Sequence, residues 1–153
     1  MSLITNYWDI FRSDKLKEKF EEVDNTIYVE EVEITAAQLI AMNGAAVEVV
    51  PAEGAGKVLE LVDAVFIFDY GTVQFTGGGA VVLEEETSAT ALSGTVAAAV
   101  FTAAADSITK VLGVGATLTA NKGIFISNAT AAFADGDGVL RLKVAYRVHS
   151  TGL

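Results

Sequence analysis

The sequence predicts a mainly β protein: a single β-sandwich domain, jelly-roll-like in topology, with one short internal helix and an N-terminal arm. Three observations predict it. Turn signals recur every eight to twelve residues through the body of the chain, the spacing of short antiparallel strands. In Val139–Val148, Leu140, Leu142, Val144, Tyr146 and Val148 alternate with Arg141, Lys143, Ala145 and Arg147, the two-residue period of a half-buried strand. In Lys57–Asp69 (KVLELVDAVFIFD), apolar residues occupy both parities, which predicts a central strand covered on both sides.

The division falls early. Residues 1–33 hold 9 of the 20 acids and 4 of the 10 bases, and the remainder is sparsely charged. Residues 1–26 are therefore assigned to an arm and residues 27–153 to the sandwich. Within the arm, Ser13 or Asp14 is placed to cap a helix running to about Val23, with Leu16, Phe20 and Val23 on one face. Ahead of it, Tyr7, Trp8, Ile10 and Phe11 put four large apolar side chains where a chain ordinarily frays. Such a cluster folds back on its own domain or docks on a neighbouring subunit, and docking is the expectation, because exposed aromatic clusters mark interaction surfaces.

Ile27–Ile34 reads as a strand, interrupted at Glu30-Glu31 as a bulge or an edge would be. Thr35-Ala36-Ala37-Gln38 has the reciprocal pattern of a capping box, Leu39–Asn43 add a turn of helix, and Gly44 is placed to end it. Ala46–Val50 is the next strand, and Pro51–Gly56 a turn into Lys57–Asp69. Glycines 71 and 77–79 bracket Val73–Phe75, Ala80–Glu84 forms a strand, and Glu85–Gly94 is a polar loop. Thr95–Ala105 (TVAAAVFTAAA) sets alanine's helical preference against Val, Phe and Thr, and strand is the expectation. Lys110–Val114 and Ile124–Asn128 complete the set before Val139–Val148, whose basic face should be solvated or paired with acids.

Charge and composition exclude several function classes. A net charge of −10 on 153 residues opposes the phosphate backbone, so no nucleic acid partner is expected. It opposes anionic lipid as well, and no run reaches the ~20 apolar residues of a spanning helix, so no membrane partner is expected. The first residues are too polar for the apolar segment of a signal peptide, which argues against secretion by that route. With no cysteine there is no disulfide, thiolate site or cysteine nucleophile.

No motif carries a reaction. His149, the one histidine, lies four residues before the end, where fraying spoils acid–base positioning, and it reads as a surface residue. Gly54-Ala55-Gly56-Lys57 resembles a phosphate loop superficially. Pro51 stands where that motif needs Gly, Val58 where it needs Ser or Thr, and a strand follows instead of a helix. Asp135-Gly136-Asp137-Gly138 lacks the further ligands of a calcium loop and reads as a hairpin turn. Glu84-Glu85-Glu86 reads as a solvated loop, with a weak divalent site there left open. Tyr70, Phe75 and Tyr146 read as core aromatics before a sugar-stacking set. The chain is expected not to be an enzyme and to need no cofactor or metal.

Several phrases together resemble one family. Ile34–Leu39 with Met42-Asn43, Val47–Ala52, Gly54–Val58, Phe68–Thr72, Phe75–Gly79, and Asn128–Thr130 through Gly138 to Val144–Val148 are similar to small virion proteins of tailed bacteriophages and prophages. The resemblance covers roughly residues 32–148; the first 30 residues match nothing in it. It implies a capsid decoration, or cement, protein made in the host cytoplasm. Such a protein sits on the outer surface of the head, ties the major capsid protein together, and acts as a dimer or trimer. Tyr7, Trp8, Ile10, Phe11, Leu16 and Phe20 are the expected contact residues. The alternative within the same class is a tail, neck or head-fibre component with a receptor- or glycan-binding β module.

Overall fold

The computed structural model describes residues 26–87 and 90–152. The expected arm helix, and with it Tyr7, Trp8, Ile10, Phe11, Leu16 and Phe20, lies outside the described residues. The described chain is mainly β, made of open antiparallel sheets. Its elements are β1 (Tyr28–Ile34), α1 (Ala36–Ala41), β2 (Val47–Val50), β3 (Lys57–Asp69), β4 (Phe75–Gly77), β5 (Val82–Glu85), α2 (Ala99–Thr102), β6 (Ser107–Leu112), β7 (Ile124–Ser127), β8 (Phe133–Asp135) and β9 (Val139–Ser150). A four-stranded sheet has the order β1-β9-β3-β6, a three-stranded sheet β2-β7-β5, and a two-stranded ribbon β4-β8.

The two longest strands lie at the centre of the largest sheet, as their apolar content predicts. β9 buries Leu140, Leu142, Val144 and Tyr146 and turns Arg141, Lys143, Ala145 and Arg147 outward, so its alternation is realised along its length. β3 departs from expectation in an instructive way. The register shifts between Leu61 and Asp63, so Leu59 and Leu61 face the core before Val62, and Ala64, Phe66 and Phe68 face it afterwards. A bulge of one residue exchanges the faces of everything beyond it. Apolar residues on both parities therefore reflect a switch of parity, and not burial on two sides: Val65 and Ile67 on the opposite face are only half-buried.

The buried faces share one core, which includes Ile34, Leu39, Val50, Phe66, Leu83, Ile126 and Leu142. At one end of it four phenylalanines form a closed ring. Phe68 and Phe75 lie 6.1 Å apart, Phe75 and Phe133 5.9 Å, Phe133 and Phe101 5.6 Å, and Phe101 and Phe68 5.6 Å. Each edge-on contact adds about 0.5–1.5 kcal/mol to the burial itself. The ring fastens the β4-β8 ribbon and α2 to β3, three elements otherwise too short to hold themselves.

The capping box forms as the sequence implies: Thr35 Oγ1 accepts from Gln38 N at 3.3 Å, and Gln38 Oε1 accepts from Thr35 N at 2.9 Å. The helix ends differently. Met42 closes it in right-handed geometry and Gly44 does not take a positive φ, so glycine is not what stops the helix. Three further expectations are corrected. Thr95–Ala105 is not a strand: Val96 bridges to Val81, and Ala99–Thr102 then turn as α2, because one helical turn drops Phe101 into the phenylalanine ring. The described chain thus has two short helices, not one. Asp135–Gly138 is a turn, with Asp135 and Gly136 at φ 56° and 81°, but it is not a hairpin, since β8 pairs with β4 while β9 pairs with β1 and β3. Glu84 and Glu85 are not loop residues but the end of β5; Glu85 is buried and its Oε1 accepts from Thr119 N at 2.6 Å.

Candidate interaction surface

The outer face of the four-stranded sheet combines charged ladders with exposed apolar side chains. Its rows follow from the registers. Glu33, Arg141, Ile67 and Ile108 lie across the four strands in one row; Glu31, Lys143, Val65 and Lys110 in the next; Val29, Ala145, Asp63 and Leu112 in the third. Lys143 Nζ pairs with Glu31 at 3.2 Å, Arg141 Nε with Asp69 at 2.9 Å, and Lys110 Nζ with Asp63 at 2.9 Å. The basic face of β9 is thus paired with acids on both neighbours. Exposed pairs of this kind contribute at most about 1 kcal/mol each, so their main effect is on local charge and not on stability. Between them stand Ile108, 76% exposed, Val29, 67%, and Leu112, 65%. Ile108 and Leu112 stand on the edge strand β6 and Val29 on the opposite edge strand β1, so the exposed apolar side chains flank the charged ladders and make this face a candidate interaction surface.

The inner face of the same sheet is open at one corner. Tyr28 and Tyr146 stack with centroids 5.7 Å apart, Tyr28 being exposed. Burial raises the Tyr146 phenol, and the nearby Glu53 and Glu30 carboxylates add to that shift. This corner adjoins Ile27, itself 49% exposed and next to Thr26, the first described residue.

Beyond Leu112, Gly113 N donates to Val62 O at 2.9 Å and Asn121 N to Lys57 O at 2.8 Å, so a loop runs along the free edge of β3. Under it is a cleft of about 160 Å³ lined by Glu60, Leu61, Leu92, Val114, Gly115, Ala116, Leu118 and His149. That is well below the ~300–1,000 Å³ of small-molecule sites. His149 does not fray, contrary to expectation. It sits inside β9 opposite Val58, with Nε2 2.7 Å from Glu60 Oε2. The hydrogen bond from His149 is the main reason the Glu60 carboxyl lies below its ordinary range, with its charge and that of Arg147 adding to the effect and burial opposing it. This is an ion-pair cluster at a strand end.

Asp137 performs a positioning role that the turn assignment missed. Its Oδ1 accepts from Thr72 N and Val73 N, each at 2.8 Å, and its Oδ2 from Thr72 Oγ1 at 2.7 Å. These bonds hold the carboxyl below its ordinary range, the Val73 amide first among them. The carboxylate clamps the loop after β3 to the turn before β9. Gly71 is required beneath it, because a Cβ there would strike the Asp137 carboxylate. Tyr70 is half-buried and donates its hydroxyl to Thr72 O at 3.1 Å, while Phe75 is core, so neither forms a sugar platform with Tyr146.

Among the described residues, no group of three or more His, Asp or Glu is placed to hold a metal ion, and no helix is long and apolar enough to cross a membrane. The six expected contact residues of the arm lie outside the described residues, so the outer sheet face is the candidate surface here. Sequence reasoning missed it because it placed this strand at Lys110–Val114, which leaves out Ile108; the strand runs over Ser107–Leu112, and its pairing with β3 turns Val111 inward and Ile108 and Leu112 outward.

Among solved structures, the chain is similar to one from the cyanophage Pam1 capsid asymmetric unit, with a TM-score of 0.51 and 18% sequence identity, over 80% of this chain and 84% of that one. No protein-family model matches it, and no curated protein does either. At that identity the likeness is one of fold.

Proposed function

We propose that this chain is a structural protein of a phage particle: a capsid decoration protein that binds the major capsid protein from the outer surface of the head and stabilises it. The observation that carries the reading is the fold shared with a chain of a phage capsid asymmetric unit across most of both lengths, which also makes the two chains similar in size. The chemistry of the surface supports it. The fold presents charged ladders together with exposed Val29, Ile108 and Leu112, features suited to contact with another protein. The buried faces are read as a jelly-roll-like sandwich, a rigid carrier for residues 1–26.

In this reading the arm engages the capsid or an adjacent copy through Tyr7, Trp8, Ile10 and Phe11, with Leu16 and Phe20 on the helix behind them, aromatic anchors being the residue types that dominate interfaces. A small domain gains grip on a shell by binding several sites at once as a dimer or trimer. The test is co-sedimentation of the purified chain with undecorated phage heads. The full chain is expected to pellet with heads, and a chain lacking residues 1–24 to stay in the supernatant. Equal binding by the truncated chain overturns the arm's role, and no binding by the full chain overturns the capsid assignment.

A further inference from the structure

The outer sheet face differs in charge from the rest of the molecule. Of the six Lys and Arg between residues 26 and 152, four project from it: Lys110, Arg141, Lys143 and Arg147. Against them stand five acids, Glu31, Glu33, Glu60, Asp63 and Asp69, leaving the face one charge from neutral on a chain whose total is −10. Copies of so acidic a protein repel one another on approach. The repulsion is least where this face meets its own kind, and this is also the face that exposes Ile108, Leu112 and Val29.

We infer that two copies of this chain pair through the face, about a two-fold axis parallel to the strands and passing between β9 and β3. The registers dictate what such an axis superposes. It reverses the column order β1-β9-β3-β6, bringing β1 over β6 of the second copy and β9 over β3, while each row is kept. Glu31 and Lys110 end one row, so Glu31 lies opposite Lys110 of the second copy. Val29 and Leu112 end another, so these two apolar residues meet. Other relative placements lose this match. Sliding by one row puts Glu31 over Leu112, and reversing the strand direction no longer joins acid to base. Face-to-face sheets lie about 10 Å apart, a gap that Glu and Lys side chains bridge from opposite sides. Each contact occurs twice, as an isologous interface requires. The inference rests on the oligomeric part of the proposed function and names its surface; it needs no capsid to be tested.

The experiment is sedimentation velocity of the full chain and its variants over a concentration series, with circular dichroism to verify folding. The unaltered chain is expected to form dimers. E31K and K110E each place like charges opposite one another at both ends of the interface and should weaken pairing by about tenfold or more. An equimolar mixture of the two variants should pair again, as a mixed dimer in which every such contact joins opposite charges. Leu112→Asp, with no compensating partner, should stay monomeric in any mixture. A monomeric unaltered chain, an assembly indifferent to Leu112→Asp, an assembly containing only odd numbers of copies, or folded E31K and K110E that fail to pair on mixing would each overturn the inference. Dimerisation gained only on deleting residues 1–24 would overturn it as well, because the chain's own arm would then be the occupant. Failure to bind heads by a chain that still dimerises counts against the capsid reading alone.

Discussion

Asp137 and Glu60 show how single carboxylates hold strand ends in a protein with few buried charges. Each lies below its ordinary range because donors surround the ionised form: two backbone amides and a hydroxyl at Asp137, His149 and Arg147 at Glu60. A group whose folded-state value is depressed stabilises the fold above the pH at which it ionises in the unfolded chain. That contribution disappears as pH falls through the lower, folded-state value. The urea midpoint of the unaltered chain should therefore decline as pH falls below the ordinary carboxyl values of 4.5 for Glu60 and 3.8 for Asp137. D137N and E60Q should each be less stable at neutral pH and show a shallower decline; an unchanged slope in both would contradict the role given to these carboxylates.

At the scale of elements, the short pieces are held by partners and not by their own propensity. α1 starts where Thr35 and Gln38 cap each other, so Thr35→Ala should cost about 1 kcal/mol in equilibrium unfolding. α2 has no side-chain cap at all and exists because Phe101 enters the ring with Phe68 and Phe133. Phe101→Ala should cost about 3–5 kcal/mol, several times the loss of the cap, since it opens a cavity where four elements meet. The difference explains what was legible. The capping box is local chemistry and could be read from four residues; the helix around Phe101 is made by contacts that lie more than thirty residues away in the chain.

For the molecule as a whole, the buried core of the described residues lies between Ile34 and Tyr146. A chain lacking residues 1–24 should accordingly fold, with a thermal midpoint within a few degrees of the full chain by calorimetry. That outcome separates the arm's binding role from any effect on folding, and it makes the head-binding comparison interpretable. Beyond the core, charge is distributed unevenly. The bases of the described chain gather on one sheet face, where β1 and β3 supply the acids that pair with them. The resulting contrast, a near-neutral face with exposed apolar residues on an acidic body, is a property of the assembled sheet and of no single strand.

What the sequence alone determined were features with a short period or a local rule: the mainly β class, the extent of β3, the alternation of β9 and the start of α1. These follow from side-chain alternation and from hydrogen bonds between near neighbours, which a linear reading captures. Tertiary structure decided the rest. Which parity of β6 faces the core depends on its register with β3, the two-sided look of β3 depends on a bulge at Val62, and the strand-like segment 95–105 yields to a turn of helix that seats Phe101. In each case the deciding contact is with residues far along the chain, and burying an apolar side chain there outweighs the small local preferences that the sequence displays.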